Sequence, residues 1–274
     1  GAAADVYIVG GAVRDALLHR PLKDVDLATS GDGIRLARQI ANRFNGDFFV
    51  LDGERGVGRA LVDTPEGRLV LDVSGFRGDS LLADLLDRDF TANAMAVDAR
   101  GDLALLLDPL GGEADIAAKQ LRRCREGAIV NDPIRVLRAV RQAAQLGFRI
   151  EADTLREVKN TAPLLADASP ERVRDEVFKL LALPRPVAAL RTADQVGALG
   201  VVLPELTTLH GLPQSAPHVF DGWQHTLMVV EHLTNILATL SYYRSDNLTG
   251  AFHLGMVAVA LDRYRAQIQA QAVS

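Results

Sequence analysis

A chain of 274 residues is long enough for two ordinary domains, and its 48% hydrophobic and 5% aromatic content fits a soluble, largely helical protein with a real core. A net charge of -5 excludes a wholly basic nucleic-acid-coating protein but not a local basic groove, because only the patch facing the phosphates matters. No apolar run approaches the roughly 18 residues of a membrane span, no signal peptide opens the chain, and a single cysteine, Cys124, excludes an internal disulfide and fits a reducing cytoplasm.

In chain order, "DVYIVG" reads as a strand, "AVRDALLHR" as a short helix and "DVDLAT" as a second strand. "GIRLARQIANRF" has helical spacing, with Ile34, Leu36, Ala37, Ile40, Ala41 and Phe44 as its apolar positions. "DFFVLD", "GRALVD" and "GRLVLDV" follow as short strands separated by Gly, Asp, Pro and Glu, the pattern of an antiparallel meander. From about residue 131 the pattern turns helical. "PIRVLRAVRQAAQLGF" carries an apolar stripe through Ile134, Leu137, Ala139, Val140 and Leu146, with Gly147 as its C-cap. "SPERVRDEVFKLLAL" opens on Ser169 as N-cap and Pro170 at the first helical position, and Pro184 and Pro186 mark a hinge into further helices. There is no internal repeat.

The front end carries the chemistry. Alternate side chains of a strand share a face, so Asp24 and Asp26 point the same way while Val25 enters the core. Two adjacent carboxylates repel unless cations sit between them. Hard oxygen ligands in this arrangement suit magnesium, which binds through one or two carboxylates plus substrate phosphates. Gly10 and Gly11 let the backbone approach a phosphate, and the following helix offers its N-terminus to an anion. Both features point to one ligand, a nucleoside triphosphate with magnesium. The strand, double glycine, helix and D-x-D strand are far more specific in this order than any one of them alone.

"GGAVRD" followed by "KDVDLAT" resembles the signature of class II tRNA nucleotidyltransferases and bacterial poly(A) polymerases, members of the DNA polymerase β superfamily. The resemblance runs on through "LVLDVSGFR", "DRDFTANAMAVD", "LDPLGGEADIAAKQLR", "NDPIRVLRAVRQAAQLGF" and "SPERVRDEVFKLL", over residues 6–182. It implies an α+β fold: a polymerase-β-like nucleotidyltransferase head with a small mixed or antiparallel sheet, followed by an all-helical neck and body. The expected divisions are a catalytic head at 1–122, a neck at 123–183 and a body at 184–274. By this resemblance Asp24 and Asp26 would hold two magnesium ions, and Asp72 would be the third catalytic carboxylate. Gly10, Gly11 and Arg14 would lie against the nucleotide, Arg88 would meet the triphosphate and Asp89 the ribose 2′-hydroxyl. Asn93 would fix the turn or touch the nucleotide. Asp87 stands where the family has an arginine, so one phosphate or backbone contact is in question.

The same resemblance gives Asp132 and Arg135, spaced i, i+3 on a helix, the task of choosing CTP and ATP without a template. Arginine offers a planar fork of donors and aspartate offers acceptors, together a mimic of a base edge. Arg138 would bind the nucleotide, with Arg141 near the same face, and Asn131 would cap the helix. Glu171, Arg172 and Glu176 would brace that helix, and "ERGVGRALV" (54–62) would be a mobile segment beside the site.

"HVFDGWQHTLMVVEHL" resembles the opening of an HD-type helical domain, with His218, His225 and His232 at steps of seven and His253 as an isolated remnant. No adjacent His-Asp pair occurs in the chain, so an HD phosphohydrolase is not expected. Family members commonly have a longer body and tail, which places tRNA selection on residues outside this chain or on another subunit. The reading is a cytoplasmic enzyme adding CMP and/or AMP to the 3′ end of tRNA. Poly(A) synthesis, CC-only or A-only addition, and an inactive RNA-binding module are its alternatives. It needs no membrane, and the sequence leaves the oligomeric state open.

Overall fold

The structure is a computed structural model that describes residues 4–22, 24–65, 67–215 and 219–240. It divides into two compact units, Gly1–Arg135 with Leu146–Val158, and Val136–Gln145 with Lys159–Ser274. No helix among the described residues is long and apolar enough to cross a membrane.

The first unit is built on a seven-stranded mixed sheet in the order β3-β4-β5-β2-β1-β6-β7. Its strands are β1 (Val6–Val9), β2 (Asp24–Thr29), β3 (Asp47–Asp52), β4 (Val57–Thr64), β5 (Gly67–Gly75), β6 (Ala96–Asp98) and β7 (Leu106–Leu107). β3, β4 and β5 form the expected antiparallel meander, whereas β5 pairs in parallel with β2. Residues 57–62 therefore lie in a strand bonded on both sides, not in the mobile segment expected at 54–62. Gly58, Ala60 and Val62 alternate as its buried positions, which suits a pleated strand, and a glycine fits among them where Ala37 and Ile34 of the Gly33–Arg43 helix pack close. β3 closes one edge of the sheet, exposing Phe49, Val50 and Leu51.

Each face of the sheet has its own cover. Helix α1 (Gly11–Leu17) follows β1, and α2 (Gly33–Arg43) starts where the Asp32 side chain accepts the Arg35 N–H at 3.0 Å. One apolar cluster gathers Leu27, Val73 and Ala37 with Ile8, Val25 and Ile40, so α2 covers the Val25 and Leu27 side of β2. A second cluster joins Val9, Ala28, Leu85, Ala94, Ala96 and Cys124 on the other side. Leu85 comes from α3 (Leu81–Leu86), capped by Ser80. The even-numbered residues of β2 thus begin as solvent-facing carboxylates and end in core.

The first unit runs past the expected boundary at residue 122, and the reason is a set of ties. After α4 (Gly112–Ala117), β8 (Gln120–Leu121) pairs in parallel with β9 (Arg149–Ile150). On α6 (Ala152–Thr161), the Thr154 hydroxyl accepts the Arg123 N–H at 3.0 Å. Buried Glu157 does more: Oε1 accepts the N–H of Ile129 at 2.9 Å and of Val130 at 3.3 Å, while Oε2 takes the Gly127 N–H and the Arg123 guanidinium. A helix outside the expected head therefore holds the 127–130 turn.

That turn leads into α5 (Arg135–Leu146), whose stripe residues Leu137, Ala139, Val140 and Leu146 are all buried, as is Ile134 just before it. Gly147 ends it with φ 70°, in the left-handed region that glycine enters without steric cost. The helix starts later than expected. Asp132 precedes it in a turn where its carbonyl accepts the Arg135 N–H, and Asn131 lies one residue further outside.

The second unit is helical: α7 (Pro170–Leu181), α8 (Pro186–Gln195), α9 (Ala198–Val202) and α10 (Gly222–Leu240). Ser169 caps α7 with Pro170 in its first turn, as expected. Of the predicted bracing residues, Glu176 does the work. It is buried and binds Arg141 Nε at 2.6 Å and Arg138 Nη1 at 3.5 Å, whereas Glu171 accepts the Ser169 hydroxyl. His225 and His232 both lie on α10, while Asp221 accepts the N–H groups of Gln224 and Gly211 as a cap. His218 and His253 lie outside the described residues.

Replacing the buried Glu157 carboxylate tests the tie between α6 and the 127–130 turn. Glu157→Gln sets an amide N–H2 against existing donors and is expected to cost about 2 kcal/mol or more. Urea unfolding followed by far-ultraviolet circular dichroism checks it.

Candidate active site

The parallel register of β2 and β5 sets Asp26 opposite Asp72, and the antiparallel register of β1 sets Val9 opposite Asp26. Asp24, Asp26 and Asp72 consequently project from one face of the sheet, at the end where the Val9 and Ala28 core stops. Asp24 and Asp26 keep accessible surface. The recess around Asp26 strips away surrounding water, and this chiefly raises its carboxyl above the usual aspartate value. Arg88 opposes the shift, while the charges of Asp72 and Asp24 add to it.

Gly10 closes β1 with φ 73°, again left-handed. A Cβ built there would stand 2.9 Å from Asp26 Oδ2 and 3.1 Å from Arg88 Nη1. Only a residue with no side chain lets carboxylate, guanidinium and backbone meet at that point. Gly10 is therefore needed by the protein's own site geometry, before any ligand arrives, whereas a Cβ on Gly11 would meet only the end of the Arg14 guanidinium at 3.4 Å.

Arg88 is aimed by a residue absent from the sequence expectations. Asp84, with no exposed surface, accepts Arg88 Nε at 3.0 Å and Nη2 at 2.8 Å on one oxygen. Its other oxygen accepts the Arg77 backbone N–H at 3.1 Å and lies 4.0 Å from Arg77 Nε. Two guanidinium groups thus share one buried carboxylate, and Arg88 Nη1 is left facing Gly10. Loss of surrounding water, and then the charge of Arg88 beside it, holds the Arg77 pKa below the arginine norm, so this corner favours an incoming anion. The i, i+4 spacing of Asp84 and Arg88 was the available signal in the sequence.

Arg59 was also missed. It is the cross-strand partner of Asp72 and binds it in a fork, Nε to Oδ1 and Nη2 to Oδ2, each at 2.7 Å. That hydrogen bond chiefly raises the Arg59 pKa. Asp72 therefore occupies the expected place, but with its carboxylate matched to a cation of the protein. Only the strand register could have revealed this. Among the described residues no group of three His, Cys, Asp or Glu gathers to hold a metal. Asp24 and Asp26 remain as a pair of hard oxygen donors, which suits a cation that completes its shell with water and phosphate.

The remaining predicted residues fall into two groups. Asp89 and Asn93 are buried beside the site on the turn that follows Arg88, and Asn93 Nδ2 donates to Asp89 Oδ1 at 2.9 Å. Arg14, on α1, donates from Nη1 to Asn93 Oδ1 at 2.6 Å. Arg135 is buried, and its fork holds backbone: Nη1 donates to the carbonyls of Arg88 and Ala128 at 3.1 Å each, and Nη2 to that of Asp87 at 2.6 Å. Its Nε lies 3.9 Å from Asp132 Oδ2, so the expected pair exists at ion-pair range. Gly11 opens α1 after Gly10. Arg138 and Arg141 belong to the second unit, where both pair with Glu176. Cys124 is no reagent, because burial pushes its thiol up to about 12.

Residues 6–122 match the family described as the poly A polymerase head domain, and residues 147–209 match the probable RNA- and SrmB-binding site of polymerase A. A CC-adding tRNA nucleotidyltransferase of Geobacter sulfurreducens is 45% identical over 72% of this chain and 45% of its own length. A multifunctional CCA protein of Nitrosomonas europaea is 39% identical over 83% of this chain and 57% of its own. The chain spans about half the length of the curated relatives it matches. A solved tRNA nucleotidyltransferase, complexed with a primer tRNA and an incoming ATP analog, superposes with a TM-score of 0.67. It shares 26% identity over 93% of this chain and 71% of that one. The fold is that of the polymerase-β-like nucleotidyltransferases. With its head at 6–122 and the helical segment at 147–209 both matched, the chain belongs to the family of tRNA nucleotidyltransferases and poly(A) polymerases.

Proposed function

We propose that this chain carries the catalytic part of an enzyme that adds CMP, and AMP after it, to the 3′ end of tRNA. The observation that carries the reading is the meeting of Asp26, Arg88 Nη1 and Gly10 at the foot of β2, with Asp24 on the same face. An anion that must reach a carboxylate pair needs a cation bound with it, and a nucleoside triphosphate with magnesium satisfies both sides of that corner. The names of the relatives, one CC-adding and one CCA, share CMP addition, which makes CTP the first substrate to test.

Asp24 and Asp26 would hold two magnesium ions, which when bound lower the pKa of the RNA 3′-hydroxyl and neutralise the departing pyrophosphate. Arg88 offers Nη1 to the triphosphate, and the buried Asp84 keeps that donor from swinging away. Arg77 lends a second positive charge. Asp89 meets the ribose 2′-hydroxyl. Asp132 presents acceptors to the base, and Arg135 only the donors left over from its bonds to the Asp87, Arg88 and Ala128 carbonyls. No nucleophile of the protein is required, since phosphoryl transfer depends on positioning and charge neutralisation.

The test is incorporation of labelled CTP, ATP, GTP and UTP into tRNA ending at the discriminator base, at C and at CC, beside an unstructured RNA. Stepwise C, C and A, then arrest, is the expected result. CMP alone would make the chain CC-adding, and long A tails on every RNA would make it a poly(A) polymerase. Asp24→Asn and Asp26→Asn should each slow transfer by about a hundredfold or more while RNA binding persists. Unchanged turnover in both would remove them from the site.

Arg59→Gln frees Asp72 beside the other carboxylates. The variant is expected to lose about 1 kcal/mol of stability without divalent cations. Magnesium should return part of that loss, and urea midpoints with and without the ion read out both effects.

A further inference from the structure

Arg14 stands on the short helix α1, three residues after Gly11, and its side chain is only 11% exposed. Its Nε and Nη2 grip the two oxygens of Asp15 at 2.9 Å each, which fixes the plane of the fork. Its Nη1 then donates to Asn93 Oδ1 at 2.6 Å. A cation tolerates only the oxygen end of an amide, so Arg14 dictates which way Asn93 faces. The nitrogen end is turned onto Asp89 Oδ1 at 2.9 Å, an oxygen that also accepts the Phe90 N–H at 2.8 Å. Two donors on one oxygen fix the rotation of the Asp89 carboxylate.

The turn beneath is equally constrained. Asn93 N–H bonds the Phe90 carbonyl at 2.8 Å, and the Thr91 hydroxyl bonds Asp115 at 2.6 Å. The Asp89 carbonyl accepts the Cys124 N–H at 3.2 Å. Asp89 and Asn93 are 6% and 7% exposed, so neither can drift without breaking buried hydrogen bonds.

We propose that Arg14 is a positioning residue for sugar selection: acting through Asn93, it aims the Asp89 carboxylate at the 2′-hydroxyl of the incoming nucleotide. The inference rests on the reading of this site as a nucleotidyl-transfer site in which Asp89 meets the ribose. A hydroxyl hydrogen bond weakens steeply as its angle departs from linear, so a carboxylate that turns loses its ability to distinguish a ribose from a deoxyribose. Arg14 would then discriminate between sugars without touching either.

The experiment measures equilibrium binding of CTP and dCTP to the full chain with magnesium, beside incorporation of both into tRNA. Wild type should prefer CTP. Arg14→Met should lower that preference by about tenfold or more, the worth of one charge-assisted hydrogen bond, with dCTP affinity nearly unchanged. Arg14→Lys should recover part of it. An unchanged preference in Arg14→Met overturns the inference. So does an equal loss for both nucleotides, the mark of a direct phosphate contact. If Arg14→Met does not fold, Asn93→Asp replaces the donor facing Asp89 with a carboxylate and must also lose the preference; a retained preference overturns the relay. Arg14-dependent preference in a chain that adds nothing to RNA would uphold this inference and sink the proposed reaction. Transfer with an Arg14-independent preference would do the reverse. A wild type that binds both nucleotides equally overturns the inference.

Discussion

Carboxylates lined up on adjacent strands of one sheet cannot all stay ionised without positive charge nearby, and the first unit is organised around that constraint. Asp24, Asp26 and Asp72 lie on one face because β2 and β5 run parallel in a fixed register. The protein supplies cations of its own at both ends: Arg59 clasps Asp72, and Arg88 leans over Asp26. Those cations need anchors in turn, which explains the fully buried Asp84. The outcome is a graded field, matched in a fork at Asp72 and opposed more loosely by Arg88 at Asp26.

A second level of support works through the backbone. Arg135 bonds the carbonyls of Asp87, Arg88 and Ala128, so the bend after α3 that bears Arg88 is tied to the turn before α5. Glu157 holds the N–H groups of that same turn. A charge on α6 thus reaches Arg88 through two layers of hydrogen bonds. In the second unit Glu176 plays a comparable part by gathering Arg138 and Arg141.

Much of this was legible in the residues. Period-two patterning placed β1 to β5, the apolar stripe placed α5, and Ser169, Pro170 and Gly147 marked helix ends where the structure has them. The D-x-D pair and the double glycine pointed to the same corner. What escaped were facts of register and long-range pairing. Nothing local to Arg59 says that Asp72 will lie across from it, and nothing in "ERGVGRALV" separates a glycine-bearing strand from a loop without its neighbours. The compact unit that contains the head also takes in residues 146–158, because a parallel two-strand ladder and the Glu157 ties recruit them.

β3 ends the sheet with a row of backbone donors and acceptors that no strand on its outer side satisfies among the described residues. Phe49, Val50 and Leu51 stand exposed along it, the profile of a template onto which a foreign extended chain could grow. The irregular register between Val50 and Asp52 bends that rim, and Asp47 and Asp52 at its two ends are held in ion pairs with Arg68 and Arg55. An arriving copy would have to match a kinked edge tipped with charged pairs. Resistance to edge-to-edge assembly is therefore written into a strand well away from the carboxylate corner.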